Sequence, residues 1–116
     1  AAPASAQDDG LTAAFGACMD ASGGVTINMN DCMNVEYERQ DARLNQAYKA
    51  AMAVLSDNRK AALKTAQRAW IGWRDANCDF FADPDGGTMA SLMVNDCMMS
   101  ETAERAGELE QIAEVY

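Results

Sequence analysis

Four cysteines offer the most direct chemistry in this chain, because paired thiols can form disulfides and grouped thiolates can hold a metal. They are Cys18, Cys32, Cys78 and Cys97, in a chain of 116 residues that has no histidine. Mixed Cys/His zinc sites are therefore excluded, and the cysteines do not form the close pairs that a four-thiolate site usually uses. Two disulfides are the preferred interpretation. Short loops favour Cys18–Cys32 with Cys78–Cys97, and Cys32–Cys78 stays open as an alternative.

The eight methionines are the second set of potential ligands. They include three close pairs: Met29 with Met33, Met89 with Met93, and Met98 with Met99. Thioethers bind Cu(I) in oxidising compartments, so the handling of Cu(I) or Ag(I) is an alternative function. Methionine is also an adaptable filler of helical cores, and core packing is the preferred interpretation.

A catalytic arrangement of a nucleophile and a base does not stand out. Histidine is absent, the cysteines are predicted to be oxidised, and a pair of catalytic carboxylates cannot be recognised without a cleft. Gly86-Gly87 lacks the lysine of a phosphate-binding loop and the spacing of a dinucleotide-binding loop. The sequence therefore predicts a protein that is not an enzyme and that uses no cofactor.

Helical periodicity dominates the chain, whereas strand signals are weak. A short helix is predicted at about 11–20, and a long helix at about 27–55 with Thr26 as its N-cap. The apolar stripe of the long helix consists of Met29, Met33, Tyr37, Leu44, Tyr48, Met52 and Leu55.

Two more helices are predicted after the long one. Ser56-Asp57-Asn58 can cap a helix that ends near Phe80-Phe81, before a turn that contains proline and paired glycines. Thr88 can cap the last helix, which Asn95-Asp96 or Ser100 can divide in two. The predicted fold is all-α: an antiparallel bundle of three long helices plus a short N-terminal helix, with two disulfides.

The short connection near Ser56 makes its two flanking helices antiparallel neighbours. Asp41 is then expected near the segment from Arg68 to Arg74, and Arg74 can form an ion pair with it. The same geometry brings Cys32 within about one turn of Cys78, so a Cys32–Cys78 disulfide remains an alternative pairing.

Both tryptophans lie in the segment QRAWIGWRDANC, residues 67–78. On a helix, Trp70, Trp73 and Arg74 share neighbouring ridges of one face. Trp70 is predicted to anchor the core, because tryptophan buries more apolar area than most side chains. Trp73 is predicted to be either core or a partly exposed platform, and a structural role is preferred for the motif as a whole.

The formal net charge of −9 argues against binding to nucleic acid or to anionic membranes. Residues 76–116 hold nine acidic residues and a single base, Arg105. A cationic partner would be attracted to this half of the chain. Solubility alone is the simpler explanation of the charge.

The N-terminal residues 1–10 are small and polar, and Ala4-Ser5-Ala6 before Gln7 resembles a signal-peptidase site. This pattern predicts a disordered tail over 1–10, the remnant around a signal-peptide cleavage site, and a single domain over 11–116. Export to the periplasm or the medium agrees with the predicted disulfides. No stretch reaches the roughly 18–20 apolar residues that a membrane span needs.

Several motifs together resemble the secreted bacterial family named after the lysozyme inhibitor LprI. They cover about residues 18–110 and are the four cysteines, Asp41-Ala-Arg-Leu44-Asn45-Gln-Ala-Tyr48, Gln67-Arg-Ala-Trp70-Ile71-Gly-Trp-Arg74-Asp75-Ala-Asn-Cys78, Gly87-Thr88 and Thr102-Ala-Glu-Arg105-Ala-Gly-Glu-Leu109. The resemblance implies an exported, all-helical domain with disulfides. It also implies that the shared residues determine the fold: Asp41, Leu44, Asn45, Tyr48, Trp70, Arg74, Asp75 and Arg105.

The resemblance makes a protein-binding module the leading function, with inhibition of lysozyme as its sharpest form. Inhibitory activity belongs to few members of that family, so no inhibitory residue is carried over. From the sequence itself, the acidic turn Asp79–Gly87 is the candidate contact with a basic partner: Asp79, Phe80, Phe81, Asp83 and Asp85. Alternatively, the two phenylalanines cap the core. A structural envelope protein and a copper- or silver-handling protein are the alternative functions.

Overall fold

The computed structural model describes residues 10–116, and these residues form helices without strands. The helices are α1 (Ala13–Ala21), α2 (Thr26–Val54), α3 (Asp57–Asp79) and α4 (Gly87–Val115). The all-α prediction of three long helices plus a short N-terminal one is confirmed. The suggested cleavage site Ala4-Ser5-Ala6 lies outside the described residues. Within residues 10–116, no helix combines the length and apolar composition that crossing a membrane requires.

The helix starts differ by a residue or two from the predicted ones. Thr26 is the first residue of α2 rather than its cap, because Val25 holds the extended N-cap position after the turn at Gly23-Gly24. Thr88 lies inside α4, whose N-cap is Gly86. The division of the last helix is also wrong, since α4 runs unbroken through Asn95-Asp96 and Ser100.

The closest packing in the fold joins α2 to α4, which run parallel to each other. Asn95 donates to Asn30 near the start of both helices at 2.9 Å, and Arg43 pairs with Glu110 farther along both at 2.6 Å. The core between them contains small and aliphatic side chains: Leu44, Ala47, Ala51, Ala106 and Leu109. Alanines allow two helix backbones to approach closely, so these two helices form the frame of the domain.

Helix α3 lies against α4 in the antiparallel direction. Asn77 of α3 contacts the Cys97 sulfur, whereas Gln67, ten residues earlier, accepts a hydrogen bond from Arg105 farther along α4. The favoured disulfides Cys18–Cys32 and Cys78–Cys97 are present, so the alternative Cys32–Cys78 is wrong.

The predicted ion pair between Arg74 and Asp41 is wrong. Arg74 instead donates to Asp75 and to Thr102 of α4. Asp41 is half-buried on α2 and forms no ion pair with any residue from 10 to 116. The short turn does reverse the chain, but the polar side chains of α3 contact α4 rather than α2.

A buried carboxylate ties the segment before α1 to α2. Glu36 has no exposed surface, and it accepts hydrogen bonds from the Thr12 backbone at 2.8 Å and the Thr12 hydroxyl at 2.6 Å. Gln40 and Arg39, both on α2, also donate to it at 2.8 Å. Burial alone raises the pKa of Glu36, but these hydrogen bonds outweigh it and hold the pKa below its usual value.

The network continues from Glu36 to α4. Gln40 also donates to the Gly10 carbonyl, and Arg43 donates to the Gln40 side chain at 3.0 Å. Arg43 forms a bidentate salt bridge with Glu110, with N–O distances of 2.8 and 2.6 Å. The hydrogen bond from Arg43 lowers the pKa of Glu110. One chain of polar contacts therefore joins the N-terminal segment, α2 and α4.

Replacing Glu36 with glutamine is expected to lower the free energy of unfolding at pH 7 by about 1–3 kcal/mol, because the hydrogen bonds from Thr12 and Arg39 lose their charged acceptor. The lowered pKa means that Glu36 stabilises the fold above its usual pKa near 4.5, and that this contribution disappears as the pH falls through the folded value. Urea unfolding at several pH values should therefore show that the free energy of unfolding falls less in acid for E36Q than for the wild type.

Glu38→Gln is the matched control, because Glu38 is exposed two residues away on the same helix. It should leave the free energy of unfolding within about 0.5 kcal/mol of the wild type. Equal stability of E36Q and E38Q at every pH would contradict a stabilising role for the buried carboxylate.

Candidate protein-binding surface

The turn between α3 and α4 lies within a loop that a disulfide closes. The Cys78–Cys97 disulfide joins the last turn of α3 to the first half of α4, and the acidic turn Asp79–Gly87 lies between these two points in the chain. Local backbone hydrogen bonds shape it, including Ala82 to Asp79 at 2.9 Å and Gly86 to Asp83 at 3.0 Å. The Asp85 amide also donates to the Asp83 carboxylate at 2.9 Å. The turn is therefore a constrained element rather than an open loop.

The two phenylalanines of the turn have different environments. Phe80 is 79% exposed, so it does not cap the core, whereas Phe81 is half-buried. Their rings pack edge to face with centroids 5.4 Å apart. Phe81 also lines a shallow groove with Met93, Asp96, Cys97, Ser100 and Glu101. Phe81 therefore supports Phe80, which projects into solvent.

The acidic turn carries exposed carboxylates as well as the projecting phenylalanine. Asp79, Asp83 and Asp85 are all exposed, and none of them forms an ion pair with the part of the chain that the structure describes. The turn thus combines an accessible aromatic ring with unneutralised negative charge. Aromatic residues are common anchors at protein interfaces, and uncompensated charge selects partners of the opposite sign.

Below the turn, Arg74 joins α3 to α4 through several contacts. The side chain is largely buried, and its guanidinium lies over the Trp70 ring at 5.0 Å from the centroid. It donates to the fully buried Thr102 hydroxyl at 3.3 Å and to Asp75 at 2.9 and 3.0 Å. Trp70 is itself partly buried against the main core. Trp70 thus packs against the core rather than forming its centre, and its ring also contacts Arg74.

Comparison with known proteins identifies the family. The family model described as lysozyme inhibitor LprI matches residues 18–109. The chain belongs to the LprI family. A relative from Rhizobium meliloti (strain 1021), described as an uncharacterized protein, is 32% identical in an alignment of length 102, and the match covers 76% of this chain and 73% of the relative. No solved structure matches the chain significantly.

The remaining LprI motif residues have mostly structural surroundings. Leu44 is buried in the core, and Tyr48 packs against it. Arg105 donates to Gln67 at 3.0 Å and to Glu108 at 3.1 Å, which adds a second polar link between α3 and α4. Asn45 is exposed on α2, and the fold does not explain its place in the motif.

The methionine pairs are divided between the core and the surface. Met33 and Met99 are buried, whereas Met89 and Met93 are 60% and 43% exposed on α4. The cysteines are all disulfide-bonded. Met89 and Met93 thus add exposed apolar area beside the acidic turn.

Carboxylates of α4 face Trp73, and the sequence motifs did not predict them. Trp70, Trp73, Glu101, Glu104, Arg105 and Glu108 line a second groove along the seam between α3 and α4. Glu101, Glu104 and Glu108 recur at spacings of three and four residues, which puts them on one helical face. That periodicity was the available signal, although only the structure places this face beside a tryptophan.

Replacing Arg74 with methionine is expected to lower the free energy of unfolding by about 2–4 kcal/mol, because Thr102 loses its partner and Trp70 loses the cation above its ring. Urea unfolding followed by circular dichroism would measure this loss. Arg68→Met is the control, since Arg68 is exposed on the same helix. A similar stability for both variants would show that the contacts of Arg74 contribute little to the fold.

Proposed function

We propose that this protein is an exported, non-enzymatic binding module that attaches to a basic protein and inhibits a lysozyme. The observation that carries the proposal is the exposure of Phe80 on an acidic turn that lies within the loop closed by the Cys78–Cys97 disulfide. Membership in a family named for lysozyme inhibition supports the choice of target. The residues proposed for the contact are Asp79, Phe80, Phe81, Asp83 and Asp85.

Charge gives the first reason for this choice of partner. The chain has a net charge of −9, and the three aspartates of the turn are exposed. Many lysozymes are strongly basic, so opposite charges would accelerate the encounter and orient the acidic turn towards the enzyme. The same charge argues against nucleic acid as a partner.

The shape of the turn gives the second reason. Lysozymes cleave peptidoglycan through two carboxyl groups in a long groove, and a narrow projecting turn can block such a groove without chemistry of its own. Phe80 would supply the apolar anchor, and the disulfide would reduce the conformational entropy lost on binding. Inhibition would therefore be steric and reversible.

The disulfides support export of the protein. Two disulfides close loops of 14 and 19 residues, and such bonds persist in oxidising compartments. The periplasm and the extracellular medium are also where a lysozyme would be met. The proposed location is therefore periplasmic or secreted.

The direct test is titration of the oxidised protein into lysozymes of several types while cell-wall lysis is followed at low and moderate salt. Stoichiometric inhibition that weakens as salt increases is the expected result, because screening reduces the attraction between the turn and a basic enzyme. A lack of inhibition of every lysozyme, together with no binding by calorimetry, would refute the proposed function.

Phe80→Ala is expected to weaken inhibition by about tenfold or more, because aromatic anchors carry much of the energy of an interface. It should not lower the melting temperature appreciably, since the Phe80 side chain is already in solvent. Val115→Ala is the control: Val115 is 72% exposed near the end of α4, away from the turn. Equal inhibition by both variants would exclude Phe80 as the anchor.

A further inference from the structure

The groove beside Trp73 has the composition of a binding site for a cationic side chain. It encloses about 190 Å³ between α3 and α4. Trp73 is 51% exposed, and no other described aromatic ring or cation stacks on it. This distinguishes it from Trp70, whose ring is already covered by Arg74 at 5.0 Å. The Trp73 indole is therefore available to a ligand.

The charges around the groove are only partly neutralised. Arg105 donates to Glu108 at 3.1 Å and so compensates one carboxylate. Glu101 and Glu104 form no ion pair with any residue in the range 10–116. Burial, together with the charges of Glu104 and Glu108, raises the pKa of Glu101. A bound cation would relieve this repulsion.

The groove is continuous with the surface already proposed for binding. Glu101 lines both this groove and the shallow groove beneath Phe81. The exposed surface therefore runs from the acidic turn along the seam of α3 and α4, with aromatic rings and carboxylates along its length. A partner large enough to cover the turn would also reach Trp73.

We propose that the groove formed by Trp73, Glu101 and Glu104 binds an arginine or lysine side chain of the basic protein that the acidic turn engages. The indole face would attract the cation, and the two carboxylates would pair with it. This inference rests on the proposed function, since it extends the same interface, and it adds a specific second subsite to it.

In the deciding measurement, a short peptide of alternating arginine and glycine is titrated into the protein. Tryptophan fluorescence and calorimetry report its binding. The matched probe is the same peptide with citrulline, which keeps the shape of arginine without its charge. The arginine peptide is expected to change the fluorescence and the citrulline peptide to leave it unchanged. A Trp73→Phe variant should lose most of the fluorescence change, because Trp70 is then the one remaining tryptophan.

The charge test compares two double variants with the same net charge. Glu101→Gln with Glu104→Gln removes the free carboxylates of the groove, whereas Glu38→Gln with Glu114→Gln removes two exposed carboxylates elsewhere. The groove variant is expected to bind the arginine peptide about three- to tenfold more weakly than the control variant. Circular dichroism of each variant would verify that it is folded.

Equal peptide affinity of the two double variants would overturn the groove proposal, even if the protein inhibits lysozyme through its turn. Weaker peptide binding by the groove variant would support it, even if no lysozyme is inhibited. The peptide titration and the lysis assay therefore test the groove and the proposed function separately.

Discussion

The burial of the Glu36 carboxylate is the constraint on which the arrangement of this domain depends most directly. A charged group without exposed surface is stable only where hydrogen-bond donors surround it. Gln40 and Arg39 on α2 supply part of that requirement, and Thr12 supplies the rest through its amide and hydroxyl. The segment before α1 must therefore fold back onto α2. The Cys18–Cys32 disulfide then holds α1 in the same place, so a polar and a covalent link act together.

The different side chains of the three long helices explain why α3 leaves an open groove. Ala47, Ala51 and Ala106 allow α2 and α4 to approach closely and form the frame. Helix α3 presents Trp70 and Arg74 to that frame instead, and a groove lined by Trp70 and Trp73 runs along its seam with α4. The Cys78–Cys97 disulfide and the contacts of Arg74 nevertheless keep α3 attached. The protein thus gains a concave surface without losing a continuous core.

Much of the fold followed from local patterns in the sequence, because apolar periodicity and loop length act within one or two elements. The four helices, the favoured disulfides and the position of the acidic turn were all predicted in this way. The partner of Arg74 was not, since a short hairpin connection indicates which helices are antiparallel but not which faces meet. Glu36 was missed for a related reason: a glutamate on a helix is normally solvated, and two of the donors that stabilise it come from Thr12, 24 residues earlier. The exposure of Phe80 and Trp73 likewise depends on tertiary packing that no short pattern records.

Several basic residues contact acidic side chains within the fold, whereas other acidic side chains stay unpaired and can contact a partner. Arg39 and Arg43 are paired with acidic side chains, and Arg105 is occupied by Gln67 and Glu108. Among residues 10–116, the aspartates of the turn and Glu101 and Glu104 of the α3–α4 groove form no ion pair. Negative charge alone would only keep the protein soluble, and an exposed aromatic ring alone would bind apolar surfaces without selection. Phe80 and Trp73 lie on the same disulfide-linked scaffold as unpaired carboxylates. The charge can therefore select a basic partner, and the rings can supply contacts that stabilise the complex.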